Sequence, residues 1–327
     1  MATGAGRMEV KTPITQALQD GVLSRQELKA LMRRSDLPAL RHLAGWLVLL
    51  GVTGFLVHAT LGSIWLWPAM FLHGIVVVHH FSLQHECCHY TVFRTRWLND
   101  LFGTLCGLIV AIPHQYFRYE HCDHHTHTQL KGHDPELIEL PMSVWKYLWY
   151  ITAIPYWRSN LGGMITRAFG RISDADKVFL PKETWQTVIG EARAYLAVYA
   201  AILALSVATG SAAALWYWIV PSLLAQPVMR AIRMTEHVGR PNVADMRENT
   251  RTNMTNGLVR FLCWNMNYHA EHHYAASVPY HALPRLHEKL KGYVHVEAGG
   301  YIGAHREILR QLTGRQPRAD LRSGAAE

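Results

Sequence analysis

The sequence predicts an all-α integral membrane protein. Four transmembrane helices form two hairpins, and a cytosolic helical cap holds a histidine-rich dimetal site. Three observations predict it. Two long stretches carry no charged residue, the turns inside them are uncharged as well, and three histidine clusters lie beyond them.

Half of the 327 residues are hydrophobic and only 17% are charged, where soluble domains carry about a quarter. The depletion is local. No Asp, Glu, Lys or Arg occurs in the 44 residues between Arg41 and Glu86, or in the 36 between Arg193 and Arg230. A spanning helix needs about 20 apolar residues, so each gap holds two helices and a tight turn. The spans fall at about residues 42–60, 63–84, 192–209 and 212–230. Gly51, Gly54, Pro68, Gly210 and Pro221 argue against one giant buried helix in either gap. Lys and Arg fall instead in 1–41, 94–193 and 230–327. The positive-inside rule then puts both termini and the middle segment in the cytoplasm, as in a bacterial inner-membrane protein.

Residues 1–40 form a cytosolic arm. Ser24 and Glu27 make a capping box ahead of Leu28, Leu31 and Met32. That helix, with Lys29, Arg33 and Arg34, either lies on the anionic leaflet or docks on the protein. The Met1 end lacks an apolar h-region, so no cleavable signal peptide is expected. Residues 41–310 form the membrane domain, and 311–327 a polar tail. Two apolar runs remain, 101–113 and 144–157. The first is too short to span and the second is rich in Trp and Tyr, so both are expected to be interfacial or re-entrant. Were only one of them to span, the histidine clusters would be split across the bilayer. Cys87, Cys88, Cys106, Cys122 and Cys263 lack secreted-domain spacing and are expected to be reduced packing residues.

The chemistry lies in the histidines. The clusters are His85-Glu-Cys-Cys-His89, His121-Cys-Asp-His124-His125 and His269-Ala-Glu-His272-His273. Imidazole suits iron, zinc and copper. Eight imidazoles are too many for one four-coordinate zinc and suit two ions in one site. On a helix, positions three or four apart share a face, so each cluster converges while adjacent histidines can serve different metals. His237 follows the last span as His85 follows the second, which makes it a ninth ligand. His79 and His80 are expected to support or pack, with His80 as a possible replacement ligand. His58 and His73 are expected to be packed residues. His114, His127, His133, His281 and His287 are more weakly placed. Glu86, Glu120, Asp123, Glu236 and Glu271 neighbour the ligands, and no more than about half should orient a metal-bound ring.

These residues resemble the membrane fatty acid desaturase superfamily, whose members include hydroxylases and carotenoid-modifying oxygenases. The resemblance runs from about His80 to His287 and includes the four-span arrangement. It rests on His85-Glu-Cys-Cys-His89-Tyr-Thr-Val-Phe93, Glu120-His121-Cys-Asp-His124-His125-Thr126 and Asn267-Tyr-His269-Ala-Glu-His272-His273. The run Val278-Pro279-Tyr280-His281-Ala-Leu-Pro284 also fits bacterial members. The resemblance implies two iron ions on the cytosolic side, O2 as co-substrate and removal of hydrogen from an unactivated C–H bond. It implies His85, His89, His121, His124, His125, His237, His269, His272 and His273 as catalytic metal ligands. Some members carry Asn four residues before the post-span histidine, where it holds a metal-bound water; here that position is Arg233.

The expected activity is O2-dependent desaturation of a fatty-acyl or lipid-like substrate. The alternative is hydroxylation of a hydrocarbon or small polar metabolite by a monooxygenase of the same superfamily. The first cluster also satisfies the H-E-x-x-H zinc metalloprotease pattern, but a protease would leave five or more histidines unexplained. A metal or haem carrier would more naturally place histidines within its spans. No fused cytochrome b5 signature, Gly-rich dinucleotide motif or ferredoxin cysteine spacing occurs. Electrons are therefore expected from a separate carrier, a ferredoxin, rubredoxin or similar protein with an NAD(P)H reductase. Membrane lipid is the other expected partner, and nucleic acid is not one. The +8 net charge would fall on the metal-bearing face, where Arg94, Arg96, Arg118, Lys131, Arg285, Lys289 and Lys291 flank the clusters and suit an acidic donor.

Overall fold

The first charge-free stretch folds as two long helices, Asp36–Ala59 and Leu66–Cys88, in a computed structural model that describes residues 13–321. The outer ends of the expected arm and tail, 1–12 and 322–327, lie outside the described residues. The second stretch gives a helix at Lys182–Thr209 and a π-turn at Leu215–Ile219 leading into Val220–His237. Among the described residues, three helices are long and apolar enough to cross a membrane: Asp36–Ala59, Leu66–Cys88 and Lys182–Thr209. The fourth expected span is helical, but its last turns carry Arg230, Arg233 and Glu236 and fall outside that class. The long helices leave Leu47, Val48, Phe55, Leu203, Leu205 and Val207 bare, as a lipid-facing surface requires.

The helices ending in His85–His89 and His237 lie side by side because a glycine lets them. A Cβ at Gly74 would stand 2.1 Å from the Pro221 carbonyl oxygen and 2.9 Å from the Ala225 Cβ. The Leu66–Cys88 helix is interrupted only at His79 and carries on to the first cluster.

The segment expected to form the cap begins with Arg96–Val110. Its 15 residues make a helix about 22 Å long, short of a bilayer core. Next come His114–His127, Val144–Ile151 and Ile154–Ala168. Trp145, Trp149, Ile154, Ile165 and Phe169 are exposed on the last two, in keeping with an interfacial position. A two-residue parallel bridge, Thr252–Asn253 with Val296–Glu297, ties the loop after the last long helix to the C-terminal segment.

The described part of the expected arm docks on the protein. Ser24 and Glu27 form the reciprocal capping box, and Leu23 and Leu31 share a core with Trp264, Leu283 and Leu286. Lys289 reaches Glu27 at 2.7 Å. The first residues of the expected tail also pack. Gln311 donates to the Gly239 carbonyl at 2.8 Å, and Arg318 to Leu140 at 3.3 Å.

Candidate metal centre

Four helix segments deliver the nine histidines, and local features fix each one. The His114–His127 helix starts where Glu191 accepts from the backbone N–H groups of Gln115 and Tyr116, at 2.9 and 3.2 Å. A carboxylate there satisfies free amides and favours the helix dipole. The His269–Tyr274 helix is held by Asn267 and Asn253: the Asn253 N–H donates to the Asn267 carbonyl at 2.9 Å, and the Asn267 amide donates back at 3.2 Å.

The nine rings form two adjacent sets. His85, His89, His121, His125 and His272 each offer a nitrogen within 4.8 Å of the others. His124, His237 and His273 make a second such group, and His269 joins it through Nε2, 2.9 Å from His237 Nε2. Adjacent residues separate as helical geometry demands. His124 and His125 face different sets, and so do His272 and His273. Within the first set, His125 Nε2 stands 3.0 Å from His121 Nε2 and 3.1 Å from His272 Nε2. Neighbouring ligands on an ion with bonds of about 2.1 Å are separated by about 3.0 Å, so these spacings fit metal coordination.

The outer nitrogens explain why the inner ones point inward. His121 Nδ1 donates to Glu136 and His124 Nδ1 to Asp134, both at 2.7 Å. His237 Nδ1 donates to the Asn249 carbonyl at 3.2 Å. His273 Nδ1 lies 3.1 Å from the Thr128 hydroxyl. Carboxylates and carbonyls only accept, so Nδ1 of His121, His124 and His237 carries a proton, and in the neutral ring Nε2 is the nitrogen with the lone pair. Buried Nε2 atoms of His85, His89, His124 and His273 have no hydrogen-bond partner. Orphaned lone pairs converging at ligand spacing fit a metal-binding donor set. Burial and neighbouring imidazoles hold His125, His272 and His273 well below the usual imidazole range, in the neutral form that binds metals.

The carboxylates nearest in sequence are mostly not the ones that orient the rings. Glu86 Oε1 sits 3.6 Å from the Nδ1 atoms of both His85 and His272, and Glu236 is 3.8 Å from His269 Nε2. Glu271 instead accepts from His287, Glu120 from the Tyr116 hydroxyl, and Asp123 faces His127. Asp134 and Glu136, absent from the sequence expectations, take the central places. The signal was an acid pair in the turn directly after the second cluster. Arg233 bridges Glu136 and Glu236, one carboxylate beside each histidine set. Although burial opposes it, His121, His124 and Arg233 hold the Glu136 carboxyl well below the carboxylate range. Burial, with Glu136 nearby, pushes Glu120 up to about 8.

The other histidines sit elsewhere. His80 donates to the Val77 carbonyl at 2.7 Å and packs edge-on to Trp46. His79 donates to Ile75, and His73 bridges Thr53 and the Tyr217 carbonyl. His127 and His281 belong to neither set.

Cavities among the described residues lie beside the histidine sets and between the long helices. A chamber of about 160 Å³ is walled by Phe81, Phe117, Glu136, Tyr156, Arg230 and Arg233 among others. Phe117 stacks on His121 with centroids 5.2 Å apart, and Phe81 lies 6.2 Å from His85. A polar cavity of about 560 Å³ shares Glu120, Pro135 and Asn160 with that chamber. An apolar groove of about 950 Å³ runs between 154–168, 185–209 and 215–237, through Trp157, Leu203 and Trp218.

A helical chain with apolar helices of membrane-crossing length and two converging histidine sets defines a class of histidine-rich, membrane-associated metalloprotein. Comparison with known proteins narrows it. The fatty acid desaturase family model matches residues 62–302, and the chain belongs to that family. It is an enzyme of the desaturase type. The sn-1 oleoyl-lipid 12-desaturase of Synechocystis sp. is 23% identical over 244 residues, covering 69% of this chain and 67% of the relative. A fatty acid conjugase of Calendula officinalis is 23% identical over 246 residues, covering 66% and 65%. The chloroplastic omega-6 fatty acid desaturase of Glycine max is 23% identical over 243 residues, covering 69% of this chain but 55% of the relative.

Proposed function

We propose that the chain is an O2-dependent di-iron desaturase that removes two hydrogens from an unactivated C–C bond of a fatty-acyl or lipid-like substrate. The observation that carries this reading is the convergence of nine imidazoles into two adjacent sets, with the buried Nε2 atoms of His85, His89, His124 and His273 unpartnered. His85, His89, His121, His125 and His272 would hold one iron, and His124, His237, His269 and His273 the other. When bound, the irons supply the reduction of O2 and the oxidising power for hydrogen removal.

The chain's own residues bind, orient and exclude. Glu136 and Asp134 keep the protons of His121 and His124 on Nδ1, fixing both tautomers. Arg233 pairs with both Glu136 and Glu236 and so ties together the support beneath both sets. Phe81 and Phe117 put apolar surface against His85 and His121.

The membrane domain is taken as 41–310, with 1–40 as arm and 311–327 as tail. The fourth helix at 215–237 is taken as a fourth span, whose lower charged turns belong to a cytosolic cap. Both termini and the metal centre then face the cytoplasm of a bacterial inner membrane. The electron donor is a separate acidic carrier, a ferredoxin or rubredoxin served by an NAD(P)H reductase. The test is reconstitution with iron, O2, a ferredoxin system and candidate lipids, followed by mass spectrometry. Loss of two hydrogens is the expected result; gain of one oxygen would replace desaturase with hydroxylase, and no O2-dependent product would sink both.

A further inference from the structure

One buried cation is left over once the support of the histidines is accounted for. Arg233 is neutralised by two carboxylates, and Arg167 by Asp176. Arg230, one turn before Arg233 on the same helix, has neither. It is 9% exposed, its Nε lacks an acceptor, and among the described residues no carboxylate forms an ion pair with it at contact distance, Glu236 acting on it only from further away. Its guanidinium lies over the Tyr156 ring, 4.3 Å from the centroid. A guanidinium keeps its charge at physiological pH, and a buried charge without a counter-ion is strongly destabilising. Glu120 also lines the chamber but forms no ion pair with Arg230.

Arg230 lines the 160 Å³ chamber whose other walls, Phe81 and Phe117, touch His85 and His121. One cavity therefore has a free cation at one wall and the rings beside the metal centre at another. We propose that this chamber is the substrate pocket, and that Arg230 binds the carboxylate of a compact free carboxylic acid.

Three observations favour such an acid over a lipid-bound chain. The chamber's volume is close to the roughly 150 Å³ that holds a benzene-sized molecule, so the part of a ligand seated in it is compact. Its shared walls lead to the polar cavity at Glu120, Pro135 and Asn160. It shares no wall residue with the apolar groove, from which Tyr156 separates it, with its hydroxyl donating to the Val110 carbonyl. A carboxylate at Arg230 also places the reacting carbons only one short chamber away from the anion. This inference rests on the desaturase reading and narrows its substrate.

The test is binding, which needs no turnover. Iron-loaded enzyme in detergent is titrated with hexanoate, hexan-1-ol and hexyl phosphate by calorimetry, for wild type, Arg230→Lys and Arg230→Met. Iron content is measured on each sample, so loss of the metal reading is recognised separately. Losing a charge-assisted hydrogen bond to a buried anion costs about tenfold or more in affinity. Hexanoate should bind wild type, weaken in Arg230→Lys and lose at least about tenfold in Arg230→Met, while hexan-1-ol changes by less than about twofold. Ligand-free Arg230→Met should melt no lower than wild type, because it removes an unpaired buried charge. Hexanoate affinity unchanged in Arg230→Met, or no hexanoate binding to wild type, overturns the proposal. Tighter binding of hexyl phosphate than hexanoate overturns the carboxylate assignment. A large drop in melting temperature of ligand-free Arg230→Met overturns it in favour of a structural arginine.

Discussion

Replacing Glu136 with glutamine removes one charge and almost no volume, and it does so where the two halves of the centre are tied together. The wild-type carboxylate accepts from His121 Nδ1 at 2.7 Å and pairs with Arg233, with both side chains nearly buried. Breaking a buried ion pair from one side costs about 3–5 kcal/mol. Arg233 keeps Glu236, so the lower end, about 3 kcal/mol, is the expected loss of stability. The second effect is on metal. Removing the partner of a ligating imidazole costs about 10–100-fold in affinity, which is about 1.4–2.7 kcal/mol. A glutamine amide can also donate, which would permit the wrong His121 tautomer. Competition of the iron-loaded enzyme against a graded chelator, alongside thermal melts, measures both. The folded-state carboxyl is held below its unfolded value, so its stabilisation is complete above the unfolded range near pH 4.3 and is lost only in acid below it. Iron affinity within twofold of wild type together with an unchanged melt would refute the assigned role.

The remaining expectations can be tested together. His124→Ala and His272→Ala, one from each set, should each lower iron occupancy and abolish turnover, whereas His127→Ala and His281→Ala should keep their metal. For topology, Leu61→Cys and Ser211→Cys should label from the periplasmic side in a background lacking Cys122, which is exposed on the cap; cytosolic labelling at both would overturn the orientation. Ser211 suits the label better than its neighbour Gly210, whose φ of +62° a cysteine would strain. Gly74→Ala forces a methyl into the Pro221 carbonyl and should cost about 1–3 kcal/mol, visible as a lower melting temperature. Turnover at limiting donor should fall as salt rises. Reversing Arg94 and Arg96 should raise the donor KM without emptying the iron sites, since Arg96 and Arg118 stack on Tyr90 beside His89; a KM indifferent to both changes would leave these charges to lipid.

Much of the centre was legible because its histidines lie on helices. Spacings of three and four residues force convergence, and the turn between neighbours sends His124 and His125, or His272 and His273, to different sets. Its support was less legible. Asp134 and Glu136 lie in a loop, where no periodicity says which way a side chain points, while Glu120 and Glu271 adjoin histidines and face Tyr116 and His287 instead. Arg233 looked like a departure from a pattern; its bridging role depends on Glu136 arriving from a distant loop. The fourth long helix shows the limit of counting uncharged residues. Its apolar half matches the expected span, yet it runs on to His237 and carries the charged turn that serves the site.

Metal content of the purified chain tests the central claim most directly. Protein expressed with ample iron, extracted in mild detergent and measured by elemental analysis should contain about two irons per chain and little zinc. The number should fall in both His124→Ala and His272→Ala. A single tightly held zinc per chain, unaffected by His124→Ala or His273→Ala, would contradict the two-set centre and the desaturase chemistry built on it.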